Sequence, residues 1–159
     1  MFLNKKKVIF LISVLTLMYV LIINQSKSQM IKIVDGDTIH LNDEKIRFTG
    51  IDAPELKQTC LKEGMKDFCG VTAKQILIGK IGNNNVECIK EGKDRYKRTL
   101  AECFVNNESL SSYLVRSGYA FAYRKYSKKF IEDENYAQAN QIGMWSMKFE
   151  YPWSYRRSN

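Results

Sequence analysis

The apolar and polar positions divide the chain into one uninterrupted hydrophobic run and a series of short, punctuated segments. The run is Val8 to Ile23, uncharged throughout and preceded by Lys5, Lys6 and Lys7. A basic stretch followed by an apolar one at the N-terminus has the form of an export signal, and no polar stripe marks it as an ordinary surface helix. At ~1.5 Å per residue its sixteen residues span roughly 24 Å, near the ~30 Å of bilayer hydrocarbon, so a retained, tilted anchor is as open as a signal removed before Gln29, where Ser26 and Ser28 stand. Either way, residues 1–29 are expected to be a signal peptide or signal anchor. The folded domain is expected over 30–148, with an aromatic and basic tail, 149–159, packing back on it through Tyr151 and Trp153.

Beyond the leader the hydrophobic period changes. Ile31, Ile33 and Val34, then Thr38 to Leu41, then Lys45 to Ile51 read as three strands, with Asp35-Gly36 and Asn42-Asp43 supplying turn residues between them. A helix is expected from about Val71 to Lys80, between Gly70 and Gly82, and strands at Val86 to Lys90 and Thr99 to Val105 around the charged loop EGKDRYKR. Leu110 and Leu114 before Gly118 mark a second helix, and Ile131 to Ile142 before Gly143 a third. Three strands, a helix, two strands and two helices predict an α+β fold. The arrangement that suits this order is a five-stranded Greek-key β-barrel of the OB kind packed with three helices.

Composition adds limits. The chain carries 25 Lys and Arg against 17 Asp and Glu, a formal +8, with 45% hydrophobic residues and two prolines, so it is neither disordered nor collagen-like. Four lysines and no acid lie in residues 1–28, which leaves 21 basic against 17 acidic residues, or +4, in the remainder. That excess suits a polyanionic partner but is equally ordinary for solubility. The single histidine, His40, argues against mechanisms that need a histidine pair. Cys60, Cys69, Cys88 and Cys103 are even in number and all follow the leader, which favours two disulfides over zinc, since no C-x-x-C occurs. Three pairings are possible. Local order favours Cys60 with Cys69 and Cys88 with Cys103.

Acids and arginines concentrate at turns: Asp35-Gly36-Asp37-Thr38, Arg47, Asp52-Ala53-Pro54-Glu55, and Asp94-Arg95-Tyr96-Lys97-Arg98. A D-G-D alone is common turn chemistry. Two acidic turns brought to one end of a small sheet are more informative, because Asp37 and Asp52 there would hold a hard cation, Ca²⁺ before Mg²⁺ or Mn²⁺. Arg47 stands in the apolar strand IRFTGI and must face solvent or meet an anion. If Arg47 and Arg98 converge on the acids, the set matches phosphodiester hydrolysis. The arginines would neutralise charge on phosphorus, and Glu55 would deprotonate the attacking water.

With these residues in view, the chain from about Ile31 to Trp145 resembles the staphylococcal-nuclease-like (thermonuclease) family. VDGDTIHL, IRFTGIDAPE, DRYKRTLAEC, LVRSGYAFAY and the closing GMW carry the resemblance by their order and spacing. It implies an endonuclease-type hydrolase on an OB-fold barrel, dependent on one Ca²⁺ ion and acting on single- or double-stranded DNA and RNA. By the same resemblance Asp37, Asp52 and the carbonyl of Ala53 would be metal ligands, Asp35 an acidic neighbour of the metal, and Arg47, Glu55 and Arg98 the catalytic residues. Tyr96 would lie beside the bound nucleotide. Ala53 stands where a threonine is usual, and Arg95 and Lys97 make the loop before Arg98 more basic and remove a glycine. The Gln58-to-Gly70 insert with its two cysteines resembles a disulfide-containing exported branch, which supports the local pairing.

Tyr96, Tyr119, Phe121, Tyr123 and Tyr126 are interleaved with Arg116, Arg124, Lys125, Lys128 and Lys129, a mixture that suits stacked bases and phosphates; Tyr96, Tyr123 and Tyr126 are the candidate nucleotide contacts. The expectation is a monomeric nuclease, secreted, periplasmic or membrane-anchored through its N-terminal segment, with its catalytic domain outside the cytoplasm. A non-catalytic OB-type binding module and an anchored interaction protein are the competing classes.

Overall fold

A polar turn in left-handed geometry begins the architecture: Asn42 and Asp43, at φ 48° and 68°, reverse the chain between β2 (Thr38–Leu41) and β3 (Glu44–Phe48). Asn and Asp tolerate this region best among residues with a side chain, which is why the hairpin closes here. β1 (Ile31–Ile33) lies antiparallel on β2, completing the meander read from the sequence. The coordinates come from a computed structural model, which describes residues 5–23 and 29–159. In it the apolar N-terminal run forms a helix, α1 (Lys5–Ile23), with Val8 to Ile12 exposed. Among the described residues no helix is long and apolar enough to cross a membrane. Ser26 and Ser28, at the expected cleavage point, lie outside the described residues.

After β4 (Ile51–Asp52) the insert folds into a hairpin, β5 (Cys60–Lys62) and β6 (Met65–Asp67), before α2 (Cys69–Ile81). Then come β7 (Glu87–Lys93), β8 (Thr99–Val105), β9 (Glu108–Ser109), α3 (Leu110–Arg116), β10 (Phe121–Ala122) and α4 (Ile131–Ala139). A 3₁₀ turn at Gly143–Ser146 leads to α5 (Pro152–Ser158). The main sheet has the order β1-β2-β3-β8-β7, with β9 on β8, while β4 pairs with β10 and β5 with β6. This is a mixed α+β fold. The pairing found among the described residues is an open path rather than a closed barrel.

Two expectations are corrected. The domain carries a helix beyond the three read from the sequence, α5, and Pro152 at its first turn is the residue that opens it, because proline lacks the N–H that a helix start leaves unsatisfied. The third helix ends at Ala139 rather than Ile142, as Gln141 takes φ 54° and Gly143 φ 60°. The principal core gathers Ile39, Ile46, Phe48, Leu77, Leu110 and Leu114 between the sheet and the helices. A second cluster surrounds Phe121, which has no exposed surface and meets the rings of Trp145, Phe149, Tyr151 and Trp153 at 5.1–6.2 Å. Both local disulfides are present: Cys60 with Cys69, and Cys88 with Cys103, which face each other across β7 and β8.

Candidate active site

Strand register assembles the site. Thr38 lies opposite Arg47 in the β2–β3 ladder, so Asp37 arrives beside the arginine from the neighbouring strand. β8 runs parallel to β3 with Thr99 opposite Ile46 and Leu100 opposite Arg47, which sets Arg98 two residues along the ladder from Arg47, near enough for its charge to act on that guanidinium. β4 pairs with β10, setting Asp52 opposite Phe121. Two glycines let the second acidic turn be approached closely, Gly36 from the first turn and Gly70 from α2. A Cβ at Gly36 would stand 2.8 Å from the Ala53 methyl, and one at Gly70 would stand 1.8 Å from the carbonyl oxygen of Glu55.

Arg47 is the centre of the arrangement, with 12% of its side chain exposed. One guanidinium nitrogen pairs with Asp37 and the other with Asp52 Oδ1 at 2.8 Å, while Nη2 also donates to the Ile51 carbonyl at 3.3 Å. Asp37 is held from the other side by the Ala53 N–H at 2.7 Å and the Thr38 hydroxyl at 3.1 Å. The fork thus meets two carboxylates, a geometry lysine cannot reproduce. Burial lowers the pKa of Arg47, the carboxylate of Asp52 opposes that shift, and the nearby charge of Arg98 adds to it.

Arg98 is turned into its own loop, where its Nε donates to Asp94 Oδ2 at 2.7 Å and its N–H to Asp94 Oδ1 at 2.9 Å. Burial opposes ionisation of Asp94, but the hydrogen bonds and charge of Arg98 outweigh it and hold the carboxyl below its ordinary range. Tyr96 is exposed, with the guanidinia of Arg95 and Arg98 at 4.8 and 5.6 Å from its ring centre. Tyr123 stacks on Trp153 at 5.7 Å and meets Tyr126 edge-on at 5.0 Å; Tyr126 is exposed. Phe121 and Tyr119, by contrast, belong to the second cluster. Several of the interleaved cations are ion-paired: Arg116 with Asp133, Arg124 with Glu134, and Lys129 with Glu102.

One side chain of the cluster was not among the residues expected from the sequence. Arg156, on α5, grips Asp52 with both nitrogens, Nη2 to Oδ2 at 2.7 Å and Nη1 to Oδ1 at 3.2 Å, and its Nη1 also reaches Glu55 Oε1 at 2.8 Å. Burial would lower its pKa, but the hydrogen bonds of Asp52 and Glu55 raise it above the ordinary value. Asp52 has no exposed surface and is shared between two guanidinia.

No group of three or more acidic, histidine or cysteine side chains converges as a metal cage among the described residues. The donor chemistry nonetheless fits a hard cation. Asp37 and Asp52 offer oxygen only, and the local charge of Asp35, Asp37, Asp52 and Glu55 exceeds that of Arg47 and Arg156 by two.

The model of the staphylococcal nuclease homologue family matches residues 45–147 of this sequence. The chain belongs to that family. Among the similar family members is an uncharacterized endonuclease of Haemophilus influenzae, 33% identical over 125 residues, which cover 74% of this chain and 65% of that protein. The chain therefore spans just under two thirds of that relative. The thermonuclease of Staphylococcus hyicus is 29% identical over 134 residues, covering 77% of this chain and 78% of the relative. The Escherichia coli protein ParB is 29% identical over 151 residues, with 84% and 80% covered. All of the acids and arginines described above except Asp35, Asp37 and Arg156 fall within the family match.

Proposed function

We propose that this family member is a nuclease that hydrolyses phosphodiester bonds in DNA and RNA, dependent on Ca²⁺ and acting outside the cytoplasm. The observation that carries the reading is the bridging of Asp37 and Asp52 by the Arg47 fork, with Glu55 on the acidic turn that follows Asp52 and the charge of Arg98 acting on Arg47 from the start of the neighbouring β8. Asp37, Asp52 and the Ala53 carbonyl would hold the cation. When bound, it would supply Lewis-acid stabilisation of charge on a phosphoryl oxygen.

The chain's own residues would do the rest. Glu55, 40% exposed, meets solvent, where it can accept a proton from the attacking water as the new P–O bond forms. As the ester P–O bond breaks, the guanidinium of Arg47, already desolvated, and that of Arg98, swung from Asp94 toward the phosphate, would stabilise the charge on the five-coordinate phosphorus. Tyr96, Tyr123 and Tyr126 would face the bases. The scaffold would be of the OB type, its five main strands following the order β1-β2-β3-β8-β7 as an open path. The leader and the two disulfides support an exported protein, secreted or held at the membrane by α1.

The full chain, kept in solution with a mild detergent, should cleave single-stranded DNA and RNA with Ca²⁺ and lose that activity in chelator. Absence of calcium-dependent cleavage would sink the reading. Oligonucleotide binding that persists in chelator without turnover would instead indicate a binding module.

A further inference from the structure

The C-terminal tail is fixed to the domain independently of the contacts that Arg156 makes. Leu61 on the β5–β6 hairpin exchanges backbone hydrogen bonds with Lys148, at 2.8 and 2.9 Å. Gln58, wholly buried, donates through Nε2 to the Glu150 carbonyl at 2.6 Å while its Oε1 accepts from the Glu55 N–H at 3.2 Å. One amide therefore joins the turn that carries Glu55 to the segment that leads into α5. The Cys60–Cys69 disulfide closes the insert behind it, and Phe149, Tyr151 and Trp153 pack on Phe121. A tail tied at three places is a wall of the site rather than a loose strap.

From this frame we propose that Arg156 is a third arginine of the active site, a positioning residue that sets the Glu55 carboxylate and tempers the charge of Asp52 toward a metal ion. This rests on the nuclease reading given above. Glu55 is far more exposed than Asp37 or Asp52 and would sample several rotamers without a partner; Nη1 of Arg156, at 2.8 Å, fixes one oxygen. At Asp52 the same guanidinium is a positive charge on the two oxygens that a divalent cation would use. Like charges compete, so Arg156 weakens cation binding while holding the buried carboxylate satisfied in the metal-free protein. The family match ends at residue 147, before this arginine, so its contribution belongs to the tail.

The test uses the full chain with Arg156→Ala, Arg156→Gln and Arg156→Lys. Cleavage of single-stranded DNA at saturating Ca²⁺ separates kcat from KM, and calorimetry without substrate gives the Ca²⁺ Kd. Removal of the guanidinium should lower kcat by about tenfold or more with KM little changed, and Lys should fall between Ala and wild type. Ca²⁺ should bind the Ala variant more tightly, by about fivefold, because a neighbouring cation has gone. General damage to the site would weaken binding instead, so the sign distinguishes positioning from mere support. Arg156→Lys keeps the charge and guards against an unfolded Ala variant. A wild-type kcat in the Ala and Gln variants overturns the proposal, and so does an unchanged or weakened Ca²⁺ Kd. If the wild-type chain does not cleave at all, the nuclease reading falls, and the calcium measurement alone still decides the role of Arg156.

Discussion

At the scale of single residues, Arg47 and Glu55 carry different burdens although both would serve the proposed chemistry. Arg47 neutralises Asp37 and the inaccessible Asp52, so Arg47→Ala leaves buried charge short of a partner. Breaking such a pair costs about 3 kcal/mol or more, and Arg156 can offset only the part that falls on Asp52. Arg47→Ala should therefore lower the urea midpoint and reduce kcat by about 10²–10³. Glu55→Gln keeps the shape of a half-exposed side chain. It should lose activity by about 10²–10⁴ while its urea midpoint stays near wild type. Equal unfolding curves for the two variants would count against this division. Asp37 and Arg47 were legible because the β2–β3 hairpin sets them side by side, and Asp52 and Glu55 because they follow β3 within a few residues. Arg156 was not, since 104 residues separate it from Asp52 and the tail shows no hydrophobic period that says where it returns. Its one signal was Pro152 at a helix start.

At the scale of elements, the two disulfides brace different parts of the molecule. The Cys60–Cys69 bridge closes the segment that holds Gln58 and the β5–β6 hairpin, and through Leu61 and Gln58 it supports the tail. The Cys88–Cys103 bridge staples β7 to β8, four residues along β8 from Thr99 and the site. Loops of this length make each bridge worth about 3 kcal/mol through restriction of the unfolded chain. Replacing either pair with serines should lower stability in urea by a similar amount. Only the Cys60/Cys69 variant should also lower kcat under conditions where both remain folded. The same loss of kcat in the Cys88/Cys103 variant would disconnect the hairpin from the site. The five strands of the main sheet path and the central helices were legible from turn residues and apolar spacing, whereas the short β4, β9 and β10 and the β5–β6 hairpin were not. The residues of that hairpin, CLKEGMKD, do not alternate, and the hairpin forms because Glu63 and Gly64 accept φ 52° and 83° while the bridge anchors its base.

At the scale of the whole molecule, the basic side chains are divided between acidic partners and open surface. Arg47, Arg98, Arg124, Lys129 and Arg156 are all bound to acids, so the number of basic residues alone overstates what is offered to a polyanion. The remaining cations near exposed rings are more relevant: Arg95 over Tyr96 at 4.8 Å and Lys125 over Tyr126 at 5.7 Å. Each exposed ring offers a face to a base, and each neighbouring cation a contact to the phosphate beside it. Binding of a single-stranded oligonucleotide should therefore weaken linearly in log Kd against log salt, with a slope of about 0.7 for every phosphate contact. Measured in chelator by fluorescence anisotropy, so that cleavage does not intervene, Arg95→Ala and Lys125→Ala should each reduce that slope by roughly 0.7. Tyr96→Ala should weaken binding by about 1–3 kcal/mol at every salt concentration and leave the slope unchanged, because stacking releases no counterions. If Tyr96→Ala alters the slope while the two cation variants do not, the strand runs elsewhere on the surface.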